Sequence, residues 1–499
     1  MPMTDSRQHT TGHAAEGVPY GHQLTVLAAE DPHATALTLV DKDGSEADLT
    51  WSELERAANS WAFALQAKSI EIGSFVALSV PNSIELVVAA LGAWKIGAIP
   101  IPMRWDLPEW EQQRLLDVID PALVLDESTI EEVTRLASGA PEAAVPIVVS
   151  PAINGICSSG STGLPKIILN TAPALWTPET STPFMANWAP VSRPQTILVP
   201  APMYHTNGFN PLNYLLGGDR LVILEKFDAA LVLDAIEKHR ITTFTATPTM
   251  LSRIADRPDV ADRDLSSIEW ILQGAAVMPH NLLRRWFALL SPQRVVMSYG
   301  MTENLGLTAL RGDEWLTHPG SVGRGFRDTE IRVVDTSGDP VPTGVIGEIY
   351  LRAPMTGRYR YLGGAPPLPT TPDGFTSAGD LGYLDDDGYL YVVDRRTDMI
   401  VTGGANVFPA EVESALIDHP DIADVVVIGV PDPHWGRRVH AVVQAADVSC
   451  PPGEVDVLRF AKSRLAAYKV PKTVEFVEQI PRTAATKVNR SAMVRARGG

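Results

Sequence analysis

Ten consecutive residues, Cys157-Ser158-Ser159-Gly160-Ser161-Thr162-Gly163-Leu164-Pro165-Lys166, bring together four hydroxyl side chains, two glycines and one lysine. Glycines let backbone N–H groups approach an anion closely, hydroxyl groups add hydrogen-bond donors, and lysine adds a positive charge. The segment is not a Walker A loop, because its glycine and lysine spacing does not fit G-x-x-x-x-G-K-[ST]. The pattern therefore predicts a polyphosphate-binding loop, with a Ser/Gly-rich surface linker as the alternative interpretation.

Charge and composition limit the partners of such a loop. The 499 residues are 45% hydrophobic and 20% charged, which is ordinary for a globular chain with room for a large and a small domain. The formal net charge of −18 argues against nucleic acid or an anionic membrane as a partner. An anionic nucleotide would have to be held by local lysines and arginines. Two cysteines form no disulfide framework, so a reduced, cytoplasmic setting is expected.

Strand and helix patterns alternate through the first hundred residues. Apolar strands are predicted at Ala36–Val40 and Phe75–Val80, a helix at Ile84–Lys95, and a loosely packed tail at residues 1–20. The long apolar run 86–101 contains a lysine, two glycines and a proline, so it indicates a buried helix and strand and no membrane span. This alternation predicts an α/β fold with mostly parallel sheets covered by helices.

Six further stretches carry chemically suggestive residues in a fixed order. They are Pro202-Met203-Tyr204-His205-Thr206-Asn207-Gly208, Gln273-Gly274-Ala275-Ala276, Ser298-Tyr299-Gly300-Met301-Thr302-Glu303, Ser377-Ala378-Gly379-Asp380, Asp394-Arg395-Arg396-Thr397 with the following Gly403-Gly404, and the terminal Pro481 to Lys487. Taken alone, the third stretch would also suit a helix start capped by Thr302. Together with the phosphate loop, they resemble the signatures of the adenylate-forming superfamily, which includes acyl-CoA synthetases, adenylation domains and luciferases.

The resemblance covers nearly the whole chain and implies a domain organisation. A large N-terminal adenylate-forming domain is expected over residues 1–396, and a small mobile α+β domain over residues 397–499. The hinge between them is expected near Thr397, where relatives usually have Asp or Lys.

The resemblance also implies an ATP site. Tyr299 offers a flat face to a purine, and the Asp380 carboxylate has two oxygens for two ribose hydroxyls. Glu303 is expected to bind Mg²⁺. The nucleotide-binding set is Ser158, Ser159, Gly160, Ser161, Thr162, Gly163, Lys166, Gly274, Ala275, Ala276, Ser298, Tyr299, Gly300, Asp380 and Arg395.

By the same resemblance, Lys487 is the catalytic lysine, assisted by Glu303, Thr302 and His205. His205 is expected to line and gate the acid pocket and not to act as a general base. The remaining pocket residues implied are Asn207, Gly208, Phe209 and Met301. No acidic residue lies between His205 and Asp219, so an α-amino acid substrate is disfavoured, since its buried ammonium would be unpaired.

The implied reaction is activation of a carboxylic acid by ATP to acyl-AMP, followed by transfer to CoA past Gly403-Gly404. The chain looks closest to bacterial fatty-acyl and bile-acid or steroid-type CoA ligases. Ile167, Asn170 and Thr171 depart from the residues usual in relatives.

The acceptor could instead be an amine, a carrier-protein thiol or, after nitrite activation, an aryl amine. A catalytically silent nucleotide-binding homologue is the alternative from another class. The oligomeric state, homodimer included, is left open.

Overall fold

The computed structural model describes residues 17–158, 166–395, 398–402, 405–482 and 488–498. Over these ranges, none of the helices has both the length and the apolar character needed to cross a membrane.

The strands of the described residues are short and are numbered here in chain order. They are β1 (Val18–Pro19), β2 (Thr35–Val40), β3 (Glu46–Thr50), β4 (Phe75–Leu78), β5 (Ile99–Pro102), β6 (Leu123–Leu125), β7 (Asn154–Ser158), β8 (Lys166–Asn170), β9 (Leu175–Trp176), β10 (Thr196–Val199), β11 (Arg220–Leu224), β12 (Thr243–Ala246), β13 (Trp270–Gln273), β14 (Val295–Gly300), β15 (Leu307–Arg311), β16 (Arg324–Phe326), β17 (Glu330–Val334), β18 (Gly347–Arg352), β19 (Tyr359–Leu362), β20 (Thr376–Leu384), β21 (Leu390–Arg395), β22 (Ile400–Thr402), β23 (Ala405–Val407), β24 (Ile422–Asp432), β25 (Gly436–Ala445) and β26 (Thr473–Val477).

The helices cover the faces of these sheets. They are α1 (Tyr20–Glu30), α2 (Trp51–Ala67), α3 (Ile84–Lys95), α4 (Glu109–Ile119), α5 (Ile130–Ser138), α6 (Thr206–Phe209), α7 (Pro211–Leu215), α8 (Ala229–His239), α9 (Pro248–Ala255), α10 (His280–Leu289), α11 (Gly312–Thr317), α12 (Pro409–Leu416), α13 (Glu454–Lys462) and α14 (Arg490–Arg495).

A nine-stranded sheet in the order β16-β15-β14-β13-β12-β10-β11-β2-β3 forms the centre of the molecule. The six strands from β14 to β2 in this order run parallel, and antiparallel pairs are confined to the two edges. Every residue of β13 is buried, as expected for a parallel strand with helices on both faces. The predicted α/β fold with helix-covered parallel sheets is confirmed, and the carboxyl ends of the parallel strands meet along one edge.

The apolar run 86–101 is a buried helix and strand, as predicted. Helix α3 has the predicted bounds, and its N-cap Ser83 accepts a hydrogen bond from the Leu86 amide at 3.1 Å. Lys95, which interrupts the run, is buried and pairs with Glu55 at 2.8 Å. The prediction of a loose tail over residues 1–20 is wrong at its last residue, because Tyr20, the first residue of α1, is only 2% exposed and packs edge-on against Trp94.

Two antiparallel sheets, β17-β18-β20-β21 and β19-β8-β7, stand beside the parallel ones. The turn between β20 and β21 lies at Asp385–Gly388, where the sequence predicts a hairpin turn, and Gly388 has a φ of +78° that favours glycine. These sheets bring β8, β19 and β20 to the edge where the parallel strands end.

Beyond residue 398 the strands form a sheet of their own, in the order β23-β22-β25-β24, with β26 parallel to β25. Helices α12 and α13 cover one face through a core that includes Val412, Leu416 and Val457. The two long strands and the helix predicted for this region are present, although Leu465 lies beyond the end of α13. The domain boundary and hinge at residues 396–397 fall outside the described residues and stay a prediction.

One buried carboxylate links β21 to α12. Asp394 is 7% exposed and accepts hydrogen bonds from the Arg395 amide at 2.7 Å and the Ala410 amide at 2.9 Å. Burial raises the pKa of Asp394 to about 6, although these amides and Arg490 act in the opposite direction. Asp394 thus links the end of β21, in the four-stranded sheet, to the first turn of α12. Its ionisation in the folded state is unfavourable.

We expect Asp394→Asn to change stability in a pH-dependent way. A pKa raised from 3.8 to about 6 means that the folded state binds the proton more tightly, so the wild type loses stability as pH rises through that window. The Asn variant is neutral throughout. The difference in Tm, variant minus wild type, should therefore grow between pH 4 and pH 7 in thermal unfolding, and Asp386→Asn, an exposed turn residue, provides the control. A difference that stays flat across this range would contradict the prediction.

Candidate active site

The loops that follow β12, β13 and β14 lie at the edge where the parallel strands end. The stretch 298–303 is central to this edge, because its residues contact two other segments carrying predicted site residues and also contact Tyr361 on β19. No helix begins at Thr302, since the structure has a turn there, and the helix-start interpretation is excluded.

Tyr299 and Asp380 form a partly buried polar contact of the site. The Tyr299 hydroxyl donates to Asp380 Oδ2 at 2.6 Å, and the Asp380 side chain is 13% exposed. Burial raises the pKa of both groups, so the tyrosine keeps its proton and acts as donor. The preceding Gly379 has a φ of +73°, a conformation that favours glycine and aims the next side chain.

Arg395 stands opposite Asp380 in the antiparallel pair of β20 and β21. Its Nε lies 3.9 Å from Asp380 Oδ1, and its side chain is 59% exposed. A carboxylate with acceptor capacity left and a nearby guanidinium suit a ribose with its adjacent phosphate. The structure therefore brings together the two residues predicted at the ribose.

The predicted adenine loop is folded by a side chain whose role the sequence did not indicate. Gln273 Nε2 donates to the carbonyl oxygens of Ala276 at 2.6 Å and Gly274 at 3.2 Å. Ala275 has a φ of +72°, a left-handed conformation that costs a non-glycine residue roughly 1–2 kcal/mol. A Cβ on Gly274 would lie 3.5 Å from Ser298 Oγ, so the two predicted nucleotide segments are adjacent. Backbone strain held at a loop of this kind is typical of functional sites.

Lys166 and Glu303 are connected through Tyr361, which the sequence did not single out. The Lys166 ammonium lies 5.2 Å from the centre of the Tyr361 ring, and the Tyr361 hydroxyl donates to Glu303 Oε1 at 2.7 Å. Burial and the neighbouring Glu303 raise the pKa of Tyr361, so it remains a donor. Only a strand-like alternation with Tyr359 marks this residue in the sequence.

The ends of the phosphate loop are fixed beside this group. Ser158 at the end of β7 pairs with Lys166 at the start of β8 in an antiparallel register. The loop residues Ser159, Gly160, Ser161, Thr162 and Gly163, and the side chain of Ser158, lie outside the described part of the structure. Ile167 is fully buried in a core cluster with Ile101 and Met103, so this departure from the family pattern packs in the core. Asn170 ends β8 and accepts from the Ala172 amide at 3.2 Å.

The predicted acid-pocket segment surrounds α6. His205 is the N-cap residue of α6, with its ring 4.5 Å from that of Tyr204. Thr206 Oγ1 lies 3.2 Å from Thr302 Oγ1, which joins this segment to the stretch 298–303. Asn207 and Met301 are half-buried, and Met301 packs against a core cluster that includes Leu305 and Ile349.

Two residues of the predicted pocket set lie in the interior. Phe209 is 1% exposed, and its ring packs against Trp94 at a centroid distance of 6.0 Å. Gly208 is buried, and a Cβ there would overlap the Pro202 carbonyl. Their structural role is the close packing of α6 on the core beneath the pocket segment.

An aromatic wall that sequence reasoning missed lies on the same face of the nine-stranded sheet as Gly300. Gly300, Leu307 and Phe326 are paired across β14, β15 and β16, so their side-chain positions share one face. Phe326 stacks on Phe184 at 4.9 Å and lies 6.3 Å from Trp188. Phe326 is 6% exposed, Phe184 and Trp188 are half-buried, and the Arg327 guanidinium lies over the Phe184 and Phe326 rings.

Both carboxylate oxygens of Asp219, the first acidic residue after His205, already have partners within the protein. Its side chain is 0% exposed and pairs with Arg193 Nη2 at 2.6 Å, while the Gln195 amide donates to it at 2.8 Å. It therefore offers no oxygen to a substrate ammonium.

The described residues fit a magnesium ion that is bound jointly by Glu303 and by phosphate oxygens of the nucleotide. No group of three or more His, Cys, Asp or Glu side chains within the described ranges could hold a metal by itself. Mg²⁺ in nucleotide sites is usually bound by one or two carboxylates plus phosphate oxygens, and Glu303 has an oxygen beyond the one that Tyr361 contacts.

Four other predicted residues lie outside the described ranges: Thr397, Gly403, Gly404 and Lys487. Their roles stay predictions. Arg482 and Val488, which flank the segment of Lys487, pair in an isolated antiparallel bridge.

Comparison with known proteins agrees with this geometry. The AMP-binding enzyme family model matches residues 24–155 and 152–359, and the model of the AMP-binding enzyme C-terminal domain matches residues 411–487. A feruloyl-CoA synthase from Amycolatopsis is 34% identical over 491 residues, covering 94% of this chain and 97% of the relative. A long-chain-fatty-acid–CoA ligase from Mycobacterium tuberculosis is 30% identical over 501 residues, covering 95% and 97%.

Solved structures show the same fold. An o-succinylbenzoate coenzyme A synthetase from Bacillus subtilis, in complex with ATP and magnesium ion, superposes with a TM-score of 0.82 at 26% identity, covering 95% of this chain and 99% of that one. The fold is that of an adenylate-forming enzyme, as the sequence motifs predicted. The chain belongs to the AMP-binding enzyme family.

We expect Asp380→Asn to raise the KM for ATP roughly 10-fold or more, because an amide replaces one acceptor oxygen with a donor, and a hydrogen bond to a charged group is worth about 1.5–3 kcal/mol. Initial rates of pyrophosphate release against ATP concentration measure the change. Asp386→Asn, on the turn that follows the same strand, should leave KM unaltered. An unchanged KM in Asp380→Asn would remove this residue from the nucleotide site.

Proposed function

We propose that this protein is an AMP-forming acid–CoA ligase, which activates a carboxylic acid with ATP and transfers the acyl group to CoA. The observation that carries the proposal is the contact set of the stretch 298–303. Through Tyr299, Thr302 and Glu303, it touches the ribose residue Asp380, the acid segment at Thr206 and the phosphate-side residue Tyr361. One short segment thus aligns the three parts of an adenylation reaction.

In the first step, the carboxylate of the acid attacks the α-phosphorus of ATP, and the bond to the bridging oxygen breaks to release pyrophosphate. The protein contributes mainly positioning and charge neutralisation in such a transfer. Lys487 is assigned to the developing negative charge between carboxylate and α-phosphate, with Lys166 and the phosphate loop on the β- and γ-phosphates. When bound near Glu303, Mg²⁺ supplies further neutralisation of the triphosphate.

In the second step, the CoA thiol loses its proton and its sulfur attacks the acyl carbon. The bond between the acyl carbon and the phosphate oxygen breaks, and AMP leaves with that electron pair. We assign the approach of the thiol to the loop at Gly403-Gly404, which a rotation of the C-terminal domain about Thr397 would bring to the site. His205, next to Tyr204 at the N-terminus of α6, is assigned to gating between the acid and the thiol.

The substrate that best suits the site is an acid with a large apolar body and no α-ammonium. The aromatic wall of Phe184, Trp188 and Phe326 supports the first property, and the occupied carboxylate of Asp219 supports the second. The ligases for ferulate and long-chain fatty acids among the relatives act on acids of this kind.

A panel of acids tests the proposal. Pyrophosphate release is measured with ferulate, palmitate, o-succinylbenzoate, cholate and nitrite, each with and without CoA, and the products are identified by mass spectrometry. The proposal predicts release with at least one carboxylic acid and an acyl-CoA product when CoA is present. Release with no acyl-CoA would indicate another acceptor, and no release with any acid would support a silent nucleotide-binding protein.

Lys487→Ala should slow acyl-AMP formation by about 10²- to 10³-fold, because removing one preorganised group from a developing charge typically costs this much. Transfer from preformed acyl-AMP to CoA should change little, since the lysine is assigned to the first step only. Lys462→Ala, at the exposed end of α13, is the control. Wild-type pyrophosphate release in Lys487→Ala would show the catalytic assignment to be wrong.

A further inference from the structure

A cluster of partly buried charges surrounds Arg490, the first residue of α14. Arg490 Nη2 donates to both carboxylate oxygens of Glu413, at 2.6 and 2.8 Å, and Nη1 donates to Asp398 Oδ2 at 3.3 Å. The three side chains are only 20–25% exposed. A forked, charge-assisted contact of this type fixes geometry more tightly than a point charge would.

The partners of Arg490 belong to separate parts of the C-terminal region. Asp398 follows the predicted hinge residue directly, and its amide donates to the Arg395 carbonyl at 3.0 Å. Glu413 lies on α12, the helix that follows β23, and also accepts from the Val427 amide on β24 at 2.7 Å. The cluster therefore ties the residues after the hinge to α12 and to the centre of the small sheet.

Arg490 itself belongs to the segment that follows Lys487. Val488 bridges to Arg482, and Asn489 caps α14 by accepting from the Ala492 amide at 2.9 Å. Arg482 pairs with Asp424 on β24 at 2.6 Å, which anchors the other end of the same segment to the small sheet. Of these two anchors, Arg490 is the one that reaches the residue after the hinge.

We propose that Arg490 is a positioning residue for the first half-reaction, which holds the segment of Lys487 in a fixed relation to the hinge through Asp398 and Glu413. The inference rests on the proposed function, in which Lys487 must reach the α-phosphate. Loss of the guanidinium would leave two partly buried carboxylates without their shared partner, near the buried Asp394, and such a change displaces the groups involved.

Helix α12 has other anchors, so the thiol-transfer step should depend less on Arg490. The Ala410 amide is bound by Asp394 at 2.9 Å, and Glu411 is paired with Lys469 at 2.5 Å. Val412 and Leu416 are buried in the core of the small sheet. These contacts of α12 do not involve Arg490.

The test measures the two half-reactions separately in full-length variants. The acid is the member of the panel of ferulate, palmitate, o-succinylbenzoate and cholate that gives the fastest wild-type pyrophosphate release. Arg490→Met should slow acyl-AMP formation about 10²-fold, the cost expected when a reacting group is misplaced by about 1 Å. Transfer from preformed acyl-AMP to CoA should slow less than about 3-fold by the same reasoning. Arg490→Lys, which keeps the charge and loses the fork, should lie between wild type and Arg490→Met.

Arg497→Met is the matched control, because Arg497 also pairs with one carboxylate through two hydrogen bonds, from Nε at 2.6 Å and Nη2 at 2.8 Å to Glu475, without reaching Asp398. Glu413→Gln should reproduce part of the Arg490 effect, and the double variant should be non-additive. Equal slowing of both half-reactions, or an effect of Arg490→Met no larger than that of Arg497→Met, would overturn the inference. Tm measurements on Arg490→Lys separate misplacement from unfolding. An inactive wild type would instead overturn the proposed function, and a fully active Lys487→Ala would overturn the assignment of Lys487 on which this inference rests.

Discussion

The hydrogen bond from Tyr299 to Asp380 joins two of the three sheets that carry residues of the site. Tyr299 lies at the carboxyl end of the parallel strand β14, and Asp380 lies 81 residues later on the antiparallel strand β20. Because both groups are largely removed from water, the contact holds the tyrosine as a donor and the carboxylate as an acceptor. Arg395, which stands opposite Asp380, and the stretch 298–303 meet at this junction.

The acidity of the chain makes local placement of cations decisive. With a net charge of −18, the protein as a whole repels a triphosphate, so attraction must come from individual side chains at short range. Lys166 over Tyr361 and Arg395 beside Asp380 are two such cations, at opposite sides of the stretch 298–303. The positive charge of Arg490 has a different role, because it pairs with the carboxylates of Asp398 and Glu413 and stabilises the geometry around α14.

Local sequence signals predicted many of the helices and strands. They did not predict which strands pair when the partners are far apart in the sequence. Helix α3 has its predicted bounds because Ser83 caps it and its residues from Leu86 to Lys95 are all buried. The antiparallel sheets did not follow from the sequence, because strand pairing depends on partners that no local pattern identifies. Tyr20 was assigned to a loose tail for the same reason: its burial depends on Trp94, far along the chain.

The site shows the same division. Motif resemblance predicted Tyr299, Asp380, Arg395, Lys166 and Glu303, and the structure brings these residues to one edge. Tyr361, Gln273 and the aromatic wall were missed, because each acts through contacts that only the folded chain makes. Phe209 was assigned to the pocket by its motif, yet it packs in the core, since a motif does not indicate which way a side chain faces.

The most direct measurement of the central claim is a crystal structure of the full-length protein with α,β-methylene-ATP and Mg²⁺. The account predicts both ribose hydroxyls within hydrogen-bond distance of Asp380, the adenine against residues 274–276, and the phosphates beside Lys166. An analogue bound elsewhere, with Asp380 contacting only Tyr299 and Arg395, would contradict it.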